Sequence, residues 1–169
     1  MRSFYFTLLL VMLVASTAFS QKGQPPKFSA YPAKVVTTKA KDINFASHKD
    51  ARMFRTRLRE ALKSGVTYAG HYTIATWGCG TGCISGAVID VRNGNVYFPR
   101  ELNLNVGFVD EDEGDLIEYK KDSRLLSIYG MPFPEDSTRF EDVPNGRYFY
   151  EWKNNRFRKV FFIEKKADR

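Results

Sequence analysis

The first regular pattern of apolar positions after the N-terminal segment has the period of a helix. They lie three and four residues apart in the stretch 48–63, at Phe54, Leu58, Ala61 and Leu62. This spacing predicts one amphipathic helix over about residues 48–63. Ser47 and Asp50 stand where an N-cap and its capping-box acid belong, and Gly65 follows where a helix closes in a left-handed turn.

After Gly65 the period changes to the alternation typical of strands. Three strand-turn-strand units are predicted, with turns at Asn93-Gly94, at residues 121–123 and at Asn154-Asn155. A two-residue turn at Asn93-Gly94 sets Ile89 opposite Phe98. The chain therefore indicates a series of hairpins after a single helix.

The last hairpin predicts its own register. A two-residue turn at Asn154-Asn155 pairs aromatic residues and one opposite-charge pair across the strands: Trp152 with Phe157, Tyr148 with Phe161, and Glu151 with Arg158. A shift of one residue would lose all three pairs. The aromatic face of Tyr148, Tyr150 and Trp152 is predicted to lie in the core. Together the patterns predict an α+β fold, a twisted antiparallel β-meander of about seven to eight strands with one N-terminal amphipathic helix.

The first residues indicate an exported protein. Arg2 precedes an apolar run, and small residues before Gln21 fit a signal-peptidase site, so residues 1–20 are predicted to be a removed signal peptide. Residues 21–41 contain three prolines and little periodicity, which predicts a linker or loosely attached arm. Residues 42–169 are predicted to form a single domain, and we expect no membrane span once the signal is removed.

The net charge is +7, and one of these charges, that of Arg2, would be removed with the signal peptide. In an intracellular protein this excess of positive charge would suggest nucleic acid as a partner. Export removes that partner. We therefore expect a periplasmic or extracellular protein that binds an envelope component or another secreted protein, with no nucleic acid and no cofactor.

Both cysteines lie in one glycine-rich stretch. Residues 68–77 alternate as a strand, and residues 78–85 are predicted to be the loop that returns the chain. In an oxidising compartment Cys79 and Cys83 are expected to form a disulfide. A metal site needs three or four ligands and a thiol oxidoreductase has one residue fewer between its cysteines, so neither is predicted.

The candidate binding residues surround this disulfide: His71, Trp77, Gly80, Thr81 and Gly82. The glycines allow unusual backbone angles, so that fixed backbone N–H groups can bind an anion beside the flat ring of Trp77. His71 is expected alongside Asp90 and Arg92, too far along the strand to act as a base for either cysteine. No catalytic residue is assigned.

The run G-H-Y-x5-W-G-C-G-T-x-C, with the later D-S-R-L-L and G-R-Y-F-Y-E-W-K-N-N-R-F, resembles a group of small secreted bacterial proteins with no assigned function. The likeness covers most of the mature chain and implies secretion and a single domain, without an activity. The stretch 82–84 also resembles faintly the nucleophile motif of L,D-transpeptidases, but Thr81 replaces its histidine and Ser85 its arginine. Two hypotheses follow: a non-catalytic binding protein, or an envelope hydrolase or transpeptidase that uses Cys83 or His71.

The acidic run 110–115 has the composition of a calcium-binding loop. Counted from Asp110, glycine falls at the fifth position where an EF-hand needs it at the sixth, and Lys121 stands at the twelfth position in place of glutamate. The run is therefore predicted to be a solvated loop.

Overall fold

A computed structural model describes residues 23–106, 114–133 and 142–165. In these ranges the chain forms one α-helix, α1 (Arg55–Lys63), two short 3-10 helices (Phe28–Ala30 and Arg100–Leu102) and eight strands. The strands are β1 (Tyr72–Gly80), β2 (Cys83–Asp90), β3 (Val96–Tyr97), β4 (Leu104–Asn105), β5 (Ile117–Tyr119), β6 (Leu125–Pro132), β7 (Gly146–Lys153) and β8 (Arg156–Glu164). The predicted α+β class, with a mostly antiparallel sheet and one helix, is confirmed. The predicted signal peptide and most of the acidic run lie outside the described residues.

The strands follow the order of the chain. The sheet runs β1-β2-β4-β6-β7-β8, with β3 paired to β2 and β5 paired to β6. Every pairing is antiparallel. Short connections favour this arrangement, because neighbours in sequence then become neighbours in the sheet. Strands β1 and β8 are the two ends of the sheet.

The helix is shorter than predicted, because residues 49–54 form turns and α1 begins only at Arg55. The Ser47 hydroxyl does not cap the helix: it donates to the Asn44 carbonyl at 2.6 Å and accepts the Val96 N–H at 2.9 Å. The hydroxyl therefore ties this segment to β3. At the other end Gly65 adopts φ 71°, the left-handed conformation expected there.

Two apolar cores lie on opposite faces of β1 and β2. The helix-side core contains Leu58 and Leu62 of α1 with Ala75 and Ile89, and Trp77 packs against it. The aromatic core contains the other set of alternating residues with side chains from β6, β7 and β8: Tyr68, Tyr72, Ile74, Val88, Leu126, Ile128, Tyr148, Tyr150, Trp152 and Phe157. The predicted burial of the β7 aromatic face is thus found. Both faces of β1 are covered over its first half.

The predicted strand over residues 68–77 begins later, at Tyr72. Tyr68 and Tyr72 form an isolated bridge around a tight turn in which Ala69 and Gly70 have φ 44° and 81°. A side chain at Gly70 would lie 2.4 Å from the Lys34 carbonyl oxygen, so the N-terminal arm passes directly against this turn. Tertiary contact with the arm therefore decides where β1 begins.

The described part of the N-terminal arm is hydrogen-bonded along its length. Ala33 N–H donates to the Asp122 carbonyl at 2.7 Å, Val36 N–H to Gly70 at 2.8 Å, and Ala40 N–H to Val91 at 2.6 Å. The Ser123 hydroxyl also donates to the Phe28 carbonyl at 2.7 Å. These bonds differ from the loose attachment predicted for residues 21–41. The arm completes the backbone hydrogen bonding of turns that the strands leave open.

The β7–β8 hairpin has the predicted turn. Asn154 and Asn155 have φ 53° and 59°, and the pairs Trp152–Phe157 and Glu151–Arg158 are found. Tyr148, however, pairs with Phe162 rather than Phe161, because a bulge shifts the register between Phe149 and Tyr150. A bulge adds one residue to one strand only, so every pair beyond it moves by one.

The Asn93-Gly94 hairpin has a different register from the prediction. Val88 pairs with Tyr97 and Ile89 with Val96, so Ile89 does not face Phe98. Asp90 determines this register. Its carboxylate Oδ1 accepts a hydrogen bond from the Arg92 backbone N–H at 3.0 Å, and the backbone N–H of Asp90 donates to the Asn95 carbonyl at 2.8 Å. The turn therefore spans residues 91–94.

Candidate functional site

The two cysteines lie at the closed end of the β1–β2 hairpin. The predicted loop over residues 78–85 is wrong: β1 continues to Gly80 and β2 begins at Cys83, so the turn contains only Thr81 and Gly82. Gly78 pairs with Ile84 and Gly80 with Cys83, which leaves Cys79 as the extra residue of a bulge. Backbone pairing thus extends the strands into the predicted loop.

The bulge places Cys79 beside Cys83. The two residues form a disulfide with their Cα atoms 5.1 Å apart, and the described residues contain no free cysteine. A ring this small stabilises the fold by about 2 kcal/mol on the chain-entropy model. The bond therefore acts mainly on the local shape of the hairpin end.

The hairpin end is exposed. Gly78, Cys79, Gly80 and Thr81 are all solvent-exposed, and no neighbouring atom lies within 4 Å of a side chain built at Gly78 or Gly80. Gly80 adopts φ 140°, which excludes most other residues. On the opposite side the Gly82 carbonyl accepts the Val106 N–H at 2.8 Å, and Cys83 pairs with Asn105 of β4. One flank is anchored and the other faces solvent.

The indole of Trp77 is partly buried beneath the helix. It stacks on Phe54 with ring centroids 4.3 Å apart and meets Phe98 edge-on at 6.3 Å. These contacts join the hairpin to the helix-side core. One face of the ring is therefore covered by Phe54, and the open flat wall predicted beside the glycines is reduced to the remaining surface.

His71 precedes β1 and lies beside Asp90 and Arg92, as predicted. Its Nε2 is 4.0 Å from Asp90 Oδ2, beyond hydrogen-bond length, whereas Arg92 Nη2 donates to the same oxygen at 2.7 Å. Burial lowers the pKa of His71 and the Arg92 charge lowers it further, against the opposing effect of Asp90. Asp90 is thus engaged by arginine, and the imidazole favours its neutral form.

The candidate residues occupy two separate places. Gly80 and Thr81 are at the hairpin end, with Trp77 three residues before Gly80, but His71 is at the opposite end of β1. Nine residues of strand between His71 and Gly80 correspond to about 30 Å. His71 therefore does not share a site with the disulfide.

Sequence reasoning missed a groove on the far side of the sheet. Its volume is about 640 Å³, and its lining includes Tyr148, Tyr150 and Phe162 together with the first four residues of β8, 156–159. The basic run Arg-Phe-Arg-Lys was visible in the sequence, but the groove depends on β8 being the last strand of the sheet.

The described residues contain neither a grouped set of metal ligands nor a membrane-spanning helix. Across residues 23–106, 114–133 and 142–165, no three His, Cys, Asp or Glu side chains are grouped as a metal site requires. No helix in those ranges is both long and apolar enough to cross a bilayer. Comparisons with protein-family models, curated proteins and solved structures gave no match.

Proposed function

We propose that the protein is a non-catalytic binding protein of the periplasm or cell exterior, with the disulfide-bridged hairpin end as its contact surface. The observation that supports this proposal is the Cys79–Cys83 bond across an exposed two-residue turn. Disulfides persist in oxidising compartments, which agrees with a signal peptide over residues 1–20. Residues 42–169 would then form one domain, an antiparallel meander with a single N-terminal amphipathic helix.

The hairpin end has the properties of a preorganised contact. Side chains built at Gly78 and Gly80 would meet no neighbouring atom within 4 Å, and the disulfide joins cysteines only four residues apart, so both features act mainly on the local shape of the turn. A turn that is rigid before binding loses less conformational entropy when a partner binds. Successive backbone N–H groups at such a turn attract anions. The partner proposed is an envelope component or secreted protein that presents an acidic group to Thr81 and Gly82.

An envelope hydrolase or transpeptidase is the competing hypothesis. It needs a thiolate at Cys83 or a base at His71, but the Cys83 sulfur is bonded to Cys79. Among the described residues, no carboxylate is hydrogen-bonded to His71 to orient it, since Asp90 is bound by Arg92. Nucleophilic catalysis requires the nucleophile and its base within hydrogen-bond reach. The geometry therefore favours binding over catalysis.

The test starts with the exported protein. Intact-mass analysis and thiol titration should give a chain that begins at Gln21 with no free thiol. Immobilised wild-type protein should then retain a defined component from envelope extract. Thr81→Glu and the double variant Cys79→Ser/Cys83→Ser should lose it, while Met53→Glu, at an exposed position on the helix side, should keep it. Two free thiols, or an acyl adduct on Cys83, would favour the enzyme instead.

A further inference from the structure

A second surface lies along β8, at the opposite end of the sheet from β1 and its disulfide-bridged hairpin. Four consecutive residues, 156–159, line the groove of about 640 Å³. Side chains on a strand alternate between its two faces. Consecutive residues line one groove when the groove reaches the edge of the strand, where backbone atoms and side chains of both faces are accessible. Among the described strands β8 pairs with β7 alone, so its outer edge presents unpaired N–H and C=O groups to this groove.

The groove has an aromatic floor and a basic edge. Its lining includes three aromatic side chains that belong to the aromatic core or pack against it: Tyr148, Phe157 and Phe162. The cations Arg156, Arg158 and Lys159 are exposed along β8. None of the three forms a salt bridge with a carboxylate of the described residues.

Lys159 Nζ lies over the Tyr148 ring, 5.9 Å from the ring centroid. Glu151 faces Arg158 in the register, but its Oε1 accepts hydrogen bonds from Arg124 instead. Two acids, Glu101 and Asp142, also line the groove. Neither forms a salt bridge with Arg156, Arg158 or Lys159, so the three cations of the strand edge remain available to a partner.

We propose that this groove binds an extended acidic peptide segment of a partner protein, which adds to the sheet as a strand beside β8. Backbone hydrogen bonds to the free edge supply the affinity, as in other cases of strand addition. Because Phe157 points to the aromatic core, Arg156 and Arg158 point to the opposite face. The segment that fits alternates acidic residues, facing the arginines, with apolar residues, facing the aromatic floor.

Two other occupants fit less well. A second copy of the chain, paired antiparallel through the same residues 156–159, would bring Arg156, Arg158 and Lys159 close to their own copies, with Glu164 as the one acid of the strand. The bulge opposite Phe149 and Tyr150 further disfavours a flat self-pairing edge. An acidic polysaccharide would use the cations but leave the free backbone groups unpaired.

The experiment uses the mature chain and a fluorescent peptide of about eight residues that alternates Glu and Val. Anisotropy should show saturable binding, and a Lys-Val peptide should bind at least about 10-fold more weakly. Two further peptides carry N-methyl groups on alternate residues, on one edge or on the other. One of them should lose binding and the other should keep it, because only one edge of the peptide meets β8.

Charge-reversal variants locate the site. Arg156→Glu/Arg158→Glu should weaken binding of the Glu-Val peptide about 10-fold, since two rim attractions become repulsions. Lys49→Glu/Arg55→Glu, with the same change in net charge on the helix side, should leave binding unchanged. The affinity should also fall when salt is raised from low to physiological concentration.

Three results would overturn the proposal. Equal loss in both double variants would mean general electrostatic attraction. Equal binding of both N-methylated peptides, or complete competition by a polyuronate at the same charge concentration, would mean that the backbone edge is not used. A concentration-dependent dimer abolished by Arg156→Glu/Arg158→Glu would assign the edge to a second copy. None of these results depends on the hairpin end, so the proposed function is tested separately.

Discussion

The turns of the two long hairpins of this protein are stabilised by different interactions. In β7–β8, the strands leave the Asn154-Asn155 turn directly into a packed pair, with Trp152 and Phe157 centroids 4.7 Å apart. In β1–β2, the last residues before the turn are exposed glycines and a cysteine, and a disulfide joins the strands. Side-chain packing holds one turn and a covalent bond holds the other.

The difference follows from where each turn lies. Trp152 and Phe157 are 2% and 4% exposed, so the β7–β8 turn is adjacent to the aromatic core and gains the free energy of burial. The end of β1–β2 extends beyond both cores, and its residues 78–81 are exposed. A covalent link replaces the missing packing, and it leaves the surface of the turn free for contact with a partner.

Removing the packing should have the largest effect. Trp152→Ala deletes a side chain that meets Phe157, Tyr72 at 5.5 Å and Tyr97 at 5.9 Å, and so connects β7 with β8, β1 and β3. We expect a loss of about 3–5 kcal/mol in the free energy of unfolding, measured in urea. Met53→Ala, at a position 76% exposed, should change it little. A loss below about 1 kcal/mol would contradict the role given to packing.

Removing the covalent bond should have a smaller and more local effect. Cys79→Ser/Cys83→Ser should lower the free energy of unfolding by about 2 kcal/mol. Native-state hydrogen exchange should become faster for the amides of residues 78–84, through local opening, while the exchange in β7 and β8 changes only as far as global unfolding requires. Uniform acceleration across the sheet would mean that the disulfide supports the whole fold, and the contrast between the hairpins would fail.

The smallest effect is expected at the opposite end of β1, where His71 lies. Its folded pKa is lowered from 6.5, mainly by burial. Above pH 6.5 both folded and unfolded states are neutral at this residue. As the pH falls below 6.5 the unfolded state takes up a proton first, so stability decreases until the folded pKa is passed.

The measurement is urea unfolding between pH 7.5 and pH 5, compared for wild type and His71→Gln. The wild type should lose more stability than the variant over this range. An NMR titration of the His71 ring gives the folded pKa directly. A ring that titrates at or above 6.5 would show that Asp90 outweighs burial, and the neutral form favoured here would be wrong.

Local patterns predicted the features that depend on few residues. The Asn154-Asn155 turn and the Trp152–Phe157 pair are found because a short turn and its nearest pairs are determined by adjacent residues. The disulfide is found because Cys79 and Cys83 are four residues apart, within reach whichever turn joins them. The resemblance to small secreted proteins and the signal peptide stay predictions.

Features that failed depend on specific side-chain hydrogen bonds or on contacts between distant segments. The Asn93-Gly94 register is set by a local bond network in which the Asp90 carboxylate holds Arg92. The start of β1 is set by the arm at Lys34, and the Ser47 hydroxyl binds Asn44 and the distant Val96 rather than capping the helix. A pattern of apolar periods reveals neither kind of contact.

By itself the amino-acid sequence determined the class of the fold, the Trp152–Phe157 pair beside the last turn and the pairing of the two cysteines. Those follow from alternation, turn chemistry and proximity along the chain. Only the tertiary structure decided that Trp77 lies under Phe54, that a bulge shifts the pairs beyond Phe149, and that β8 lies at one end of the described sheet. The reason is physical: strand order and bulges choose which faces and edges meet, and these choices are made by the summed packing of residues far apart in the chain.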